Sequence, residues 1–372
     1  MDLNSLIREE IQKQPGQAIP FSRFMELAIY HPSYGYYMSD KPKVGKEGDF
    51  YTSASVHPVF AETLADAVIH MWQASNMTAP TLVEIGGGTG SQCRHMLDRI
   101  RDIVPELYET LTVMMIEASP YHREVQKEAL ENHPVTKKWY SSLEEAAGRE
   151  QIEGVILSNE WLDAFPVHIA EKKKTGWQEV WVTDREDQFV EECREVTPEL
   201  GRYLEALEMK LPAGMRIEVN LELEKAAEDV SRLLKKGFVV TIDYGDLQEE
   251  LYHQSRKQGT LMCYYRHQAH DNPYIHTGEQ DITAHVNFSD WSRYGEKAGL
   301  QEWAYMRQDR FLIRNGLLEK AVSHMDTDPF RSPAMKRNRA IQQLIDPAGL
   351  GGRFRVMVQA KEVDQSVVLR FR

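Results

Sequence analysis

Glu84, Gly86, Gly88 and Gly90 fall on every second position of the stretch Thr81-Leu-Val-Glu-Ile-Gly-Gly-Gly-Thr-Gly-Ser91. Residues without a Cβ let main chain pass close to a ligand. An acid just ahead of them can balance an ammonium or sulfonium charge. A dinucleotide loop wants its third Gly or Ala three residues after the second, where this chain has Ser91, or Cys93 when counted from Gly90. The spacing therefore fits a loop that holds S-adenosylmethionine (SAM), which carries no phosphate, better than one that holds NAD. A plain strand-to-helix turn is the other reading of the glycines.

Glu117 closes the apolar run Leu111-Thr-Val-Met-Met-Ile-Glu117, 27 residues beyond Gly90. At the tip of the next parallel strand an acid can accept hydrogen bonds from both ribose hydroxyls. Nicotinamide enzymes place an acid at about 20 residues' spacing for the same purpose, so Glu117 alone leaves the cofactor open. A surface glutamate that merely ends a strand is its alternative.

Asn159, Glu160 and Asp163 place an amide and two carboxylates in Ser158-Asn-Glu-Trp-Leu-Asp-Ala-Phe-Pro166, directly after the apolar run Gly154-Val-Ile-Leu157. Methyl transfer needs an aligned lone pair, and an enzyme supplies mainly proximity and field. A nitrogen acceptor that is protonated at neutral pH must also lose a proton. Carboxylates can hold a guanidinium or ammonium and accept that proton. Asn159 or Asp163 capping a following helix is the competing reading. Gly48-Asp-Phe-Tyr-Thr-Ser-Ala-Ser55 reads as a lid, with Asp49 or Thr52 reaching the methionine end of the cofactor, and Asp243-Tyr-Gly245 could face the same cleft. His267, His270, His276 and His285 have neither a helical His-x-x-x-His spacing nor paired cysteines beside them, so they read as structural or acceptor-side residues and no metal site is expected.

The elements that must position these residues follow from periodicity. Helices are expected over residues 2–14, from Pro20 to Tyr30 with Ser22 as a possible cap, and from Val56 to Ala74. Strand 81–85, helix 91–100, strand 111–117, helix 120–131, a short strand near 138–140, helix 142–149 and strand 154–158 then alternate. Such alternation implies a parallel sheet. Helix 222–236 and strand 237–243 resume it, and a helix at 334–345 and a final strand at 353–360 close the chain. Between lies an insertion with strands at 167–171 and 177–182, a turn at 172–176 and a helix at 199–210. The three lysines of that turn read as a solvated face. The expected domains are residues 1–75 as N-terminal helices and cofactor lid, 76–166 with 215–372 as the core, and 167–214 as a substrate-side subdomain.

With 372 residues, 42% hydrophobic and 27% charged, the chain can bury a large core in one or two domains. A net charge of −13 argues against a general grip on nucleic acid and suits a cationic partner such as a basic protein segment. Cys93, Cys193 and Cys263 lie far apart and offer no disulfide framework. The first residues carry acids and no apolar run, nothing reaches membrane-spanning length, and a cytoplasmic protein is expected.

Taken together, His31-Pro-Ser-Tyr-Gly-Tyr-Tyr37, Gly48-Asp-Phe-Tyr-Thr-Ser53, Glu84-Ile-Gly-Gly-Gly-Thr-Gly90, Ser158-Asn-Glu-Trp-Leu-Asp-Ala-Phe-Pro-Val167, Ile242-Asp-Tyr-Gly245 and Gly278-Glu-Gln-Asp-Ile-Thr-Ala-His-Val286 resemble, in order, the MidA-like SAM-dependent methyltransferases. The resemblance runs from about residue 15 to 360. It implies an α/β, Rossmann-like class I methyltransferase fold with N-terminal helices and an inserted substrate subdomain, SAM as cofactor, and a protein arginine as acceptor. Mitochondrial members of that family methylate a subunit of respiratory complex I during its assembly. Position by position it implies a cofactor loop at Gly86, Gly88 and Gly90, a ribose acid at Glu117, and the polar turn at Asn159, Glu160 and Asp163. Gly87 and Thr89 stand where members often carry proline and arginine, which changes loop stiffness but not the glycine logic. An assembly protein that keeps the pocket without turnover, and a nicotinamide-dependent oxidoreductase, are the alternatives.

Overall fold

Seven strands of one sheet frame the longer run of the chain, in a computed structural model that describes residues 2–41, 43, 57–325 and 332–371. Their order is Gln301–Arg307, Phe354–Lys361, Leu234–Asp246, Ile152–Asn159, Thr81–Ile85, Thr112–Ile116 and Thr136–Tyr140. The last five run parallel, Phe354–Lys361 runs antiparallel to them, and Gln301–Arg307, antiparallel to Phe354–Lys361, shares the direction of the five. From Thr81–Ile85 the chain steps outward through Thr112–Ile116 to Thr136–Tyr140, then returns to the opposite side of Thr81–Ile85 at Ile152–Asn159. The order reverses there, and a crevice opens at the carboxyl ends of strands at such a point. This is the class I methyltransferase arrangement.

Both faces of these strands are covered, so they read as continuous apolar runs. Leu82, Val113, Met115, Val155, Leu157, Phe238 and Val240 join one core with Phe60, Leu64, Val68 and Trp72 of the helix Pro58–Ala74 and with Cys93, Met96, Leu97 and Ile100 of the helix Ser91–Ile103. Local chemistry starts the helices. Pro58 occupies a first-turn position while His57 Nδ1 accepts from the Val59 amide at 3.1 Å. The Ser119 and Ser142 hydroxyls accept from the amides of His122 and Glu145, satisfying groups that helix starts leave unpaired.

The chain divides into two compact units. One holds Tyr51–Trp161, Lys225–Tyr244 and Trp291–Arg372 and contains the sheet just described; the other holds Met1–Phe50, Leu162–Glu224 and Gly245–Asp290. In the second, Ile19–Pro20, Gly176–Arg185, His168–Lys173 and Arg216–Val219 line up in one sheet, with Gln188–Arg194 also paired to Gly176–Arg185. Gln268–His270, Met262–Tyr265 and Asp281–Thr283 form a smaller one. The helices Leu3–Lys13 and Phe21–Tyr30 bury Leu3, Ile7, Ile11, Phe21, Phe24 and Met25 in a core shared with Val167, Ile169, Val180 and Val182.

Several expectations need correction. Ser22 does not cap its helix: the element starts at Phe21 with Pro20 at the cap position and no side-chain cap bond. A short helix, Pro105–Thr110, precedes the strand that starts at Thr112. The insertion carries a further strand, Gln188–Arg194, whose charged sequence hides the alternation, and its sheet also takes in Arg216–Val219, which the sequence assigned to the core. No helix follows Ser158–Pro166, so neither Asn159 nor Asp163 is a cap. The boundaries drawn from sequence also differ from the units seen. Residues 245–290 return to the unit of the insertion, and residues 1–50 belong with it. Asp49 and Thr52 lie outside the described residues.

Candidate active site

The glycine loop joins the strand Thr81–Ile85 to the helix Ser91–Ile103. Gly86, Gly88 and Gly90 have φ of +67°, +51° and +74°. All three sit in the left-handed region that costs a residue with a Cβ roughly 1–2 kcal/mol, so the alternate glycines are required by conformation as well as by close approach. Among the described residues a Cβ on Gly88 would meet nothing within 4 Å, leaving an open cradle there, while one on Gly86 would lie 3.6 Å from the Trp161 ring. A Cβ at Gly87 would come within 3.0 Å of the Glu84 carboxyl and 2.8 Å of Met115 Cε, so a larger residue there asks those side-chain ends to shift. The Gly86 amide donates to the Ile116 carbonyl at 2.9 Å, and the Gly90 amide to the Gly87 carbonyl at 2.9 Å. These bonds fix the loop against the neighbouring strand.

Glu84 is buried under this loop. Its Oε1 accepts from Gln92 Nε2 at 2.7 Å, whereas Oε2 has no hydrogen-bond partner. Among the described residues it is the only buried carboxylate oxygen left so. Burial pushes the acid up to about 8; Gln92 and the Cys93 amide oppose that shift and the nearby Glu117 adds to it. Gln92 Oε1 is likewise buried and unpartnered. Buried polar atoms cost free energy unless paired, so this pair of orphaned oxygens marks where a donor-bearing ligand fits.

Glu117 stands one strand over. Oε1 accepts from the Ser119 amide at 3.0 Å, and Gln126 Nε2 reaches Oε2 at 3.4 Å and the Gly88 carbonyl at 3.0 Å. Burial again raises this acid, against bonds from the Ser119 and Gly88 amides. Gln126 is itself fully buried and accepts from Trp139 Nε1 at 3.2 Å. It ties the loop to the acid, a connection the sequence did not reveal. A glutamine on the inward face of an otherwise polar helix was the available signal, and Gln92 gives the same signal in the helix after the loop.

Across the switch point, Asn159 Nδ2 donates to Glu160 Oε1 at 3.1 Å, and Asn159 Oδ1 is buried without a partner. Glu160 has φ of +54° and its amide donates to the Ile242 carbonyl at 2.9 Å. The next amide, Trp161, donates to Asp243 Oδ2 at 3.1 Å, so the fully buried Asp243 holds the turn. Through Trp161 that turn abuts Gly86. The structure thus groups Glu84, the glycines, Glu117, Asn159 and Glu160 in one unit. Asp163 falls beyond the boundary at Trp161 and belongs to the other unit. There its carbonyl accepts from the Ala284 amide at 3.0 Å. It acts electrostatically on Tyr37, whose hydroxyl donates to Asp281 at 2.6 Å and is pushed well up by burial first and Asp281 second. Among the described residues, no group of three or more His, Cys, Asp or Glu side chains could hold a metal, and no helix is long and apolar enough to cross a membrane.

Comparison with known proteins agrees with this geometry. The family described as "Putative S-adenosyl-L-methionine-dependent methyltransferase" matches residues 63–306. A crystal structure of a "likely methyl transferase" from Burkholderia thailandensis bound to S-adenosyl-homocysteine is 33% identical, covers 98% of this chain and 93% of that one, and superposes with a TM-score of 0.86. The Drosophila melanogaster "Protein arginine methyltransferase NDUFAF7 homolog, mitochondrial" is 26% identical over 95% of this chain and 85% of its own length. The Homo sapiens "Protein arginine methyltransferase NDUFAF7, mitochondrial" is 27% identical over 90% and 78%. The cofactor left open by Glu117 is therefore SAM rather than a nicotinamide. The chain belongs to the MidA-like family of SAM-dependent methyltransferases.

Proposed function

We propose that the protein methylates a side-chain nitrogen of a protein substrate, with arginine as the acceptor class. Bound at the glycine loop, SAM supplies an electrophilic methyl group on a sulfonium. In the proposed arrangement Glu84 faces the cofactor's cationic end and Glu117 its ribose. Gly86, Gly88 and Gly90 keep side chains out of its path.

The observation that carries the proposal is Glu160. A non-glycine residue at φ of +54° stores backbone strain of about 1–3 kcal/mol and persists only where its surroundings enforce it. Here the Ile242 carbonyl and Asp243 enforce it from the next strand. The strained turn presents a carboxylate beside the tryptophan that lies on Gly86. Asn159 orients that carboxylate by donating to it. Glu160 then orients a guanidinium and takes the proton that the acceptor nitrogen must lose. Asp163 belongs to the other compact unit and is given no step. The arginine acceptor draws support from the relatives' names, and the protein partner from those names and from the net charge of −13. For the compartment, cytoplasm stays a proposal from composition, alongside relatives whose names say mitochondrial.

The test is transfer of labelled methyl from SAM to a basic protein acceptor. Glu160→Gln should lower transfer by about 10²–10⁴-fold while leaving affinity for S-adenosylhomocysteine within about twofold. Loss of that affinity instead would make Glu160 a cofactor ligand, and undiminished transfer would remove it from the chemistry.

A further inference from the structure

Among the described residues, no positive charge compensates Glu84. Glu84 lies in register with Met115 on one neighbouring strand and Leu157 on the other. From the helix Ser91–Ile103 it meets Gln92 and the buried Cys93, whose thiol is pushed well up by burial and by Glu84 itself. From the end of the next strand it feels Glu117, a second buried acid. Arg123, on the helix Pro120–Ala129, acts on Glu117, and its guanidinium donates to the carbonyls of Glu117 and Ala118. No cation acts on Glu84 among the described residues. A desolvated carboxylate that faces another acid and lacks a partner for one oxygen favours its neutral form.

We propose that the cofactor site takes up its cationic ligand in exchange for a proton from Glu84. The inference rests on the reading of Glu84 as the residue that meets the cofactor's charged end. The exchange balances: the neutral Glu84 acid and a ligand ammonium become a carboxylate–ammonium pair and one released proton. No bond other than the O–H bond of the acid is broken. The position of the free acid, pushed up to about 8, sets the window. Below that pH the site must shed a proton to bind; above it the carboxylate is already formed. Affinity for a ligand whose amine stays protonated therefore rises about tenfold per pH unit well below the transition and levels off above it. Gln92 moderates the exchange, because its amide donates to the charged form.

Isothermal titration of the full chain with S-adenosylhomocysteine, in buffers of differing ionisation enthalpy at pH 7 and pH 9, counts the protons. The expected release is close to one at pH 7 and small at pH 9. Glu84→Gln should bind with no protein-derived release, and its count also subtracts the ligand amine's contribution. Gln92→Leu should move the transition to higher pH. Binding with no buffer dependence at pH 7, or equal release from wild type and Glu84→Gln, overturns the exchange. Should Glu84→Gln not fold, the wild-type count decides: a flat profile across pH 6–9 is fatal and a fall through the expected window supports it. Absence of binding by the wild-type protein would instead sink the cofactor-site reading on which the exchange rests.

Discussion

The two compact units differ in one buried carboxylate. In the unit of residues 1–50, 162–224 and 245–290, no buried carboxylate oxygen lacks a hydrogen-bond partner among the described residues. Glu179 meets His168 Nδ1 at 2.6 Å and the Thr197 amide at 2.7 Å. Glu218 accepts from the Thr260 amide and hydroxyl and from the Leu261 amide. Asp290 accepts from Tyr203 and Asn287. In the unit with the glycine loop, Glu84 keeps one oxygen unpaired under a turn held in left-handed conformation. Paired buried acids hold an architecture together, whereas an unpaired one keeps a cost that protonation or a ligand lowers. Burial alone does not separate the two kinds; the count of partners does.

Substitutions can break that contrast. The largest effect is expected at the open cradle. Gly88→Val should weaken S-adenosylhomocysteine binding by about 100-fold or more, because it strains a left-handed residue and fills the space a ligand would take. Equal binding would show that the cradle lies outside the cofactor's path. Glu218→Ala should do the reverse. It leaves the donors of Thr260 and Leu261 unpaired, so stability should fall by roughly 3 kcal/mol in denaturant melts with ligand affinity unchanged. A ligand effect without a stability loss would erase the distinction between the units.

A smaller, pH-dependent effect follows from Glu84. Its folded acid sits near 8, above the ordinary carboxyl value near 4.3. The ligand-free native state therefore binds more protons than the unfolded chain between those limits, and Glu84 makes stability fall as pH rises through that window. Glu84→Gln should flatten this slope, so the variant's Tm exceeds the wild type's most at pH 8 and least at pH 5. The smallest effect concerns support alone: Ser119→Ala removes a helix cap and should cost about 1 kcal/mol without altering the proton count.

Much of the cofactor half was legible in sequence. Alternate glycines after an acid, and a second acid after the next apolar run, specify a strand–turn–helix at one end of a parallel sheet, and Thr81–Ile85 and Ser91–Ile103 follow that reading closely. Support residues were less visible. Gln92 and Gln126 look like ordinary polar helix positions until the fold turns them inward, and Asp243 becomes a clamp only when its strand pairs beside Ile152–Asn159. The second unit was the hardest to read. Its strand Gln188–Arg194 is held partly by long-range ion pairs such as Glu191 with Arg216, which leave no periodic apolar trace. Its third segment, 245–290, follows a strand that continues unbroken from Leu234 to Asp246 across the unit boundary. Between Glu160 and Asp163 the chain passes from one unit to the other after Trp161, a change that three residues of spacing do not reveal.

The central claim, that the crevice between Glu84 and Gly90 receives SAM, is tested most directly by calorimetric titration of S-adenosylhomocysteine into wild-type protein and into folded Gly88→Val. Saturable one-to-one binding by the first and loss of about 100-fold in affinity by the second is the predicted outcome. Binding of equal strength by both proteins would contradict it.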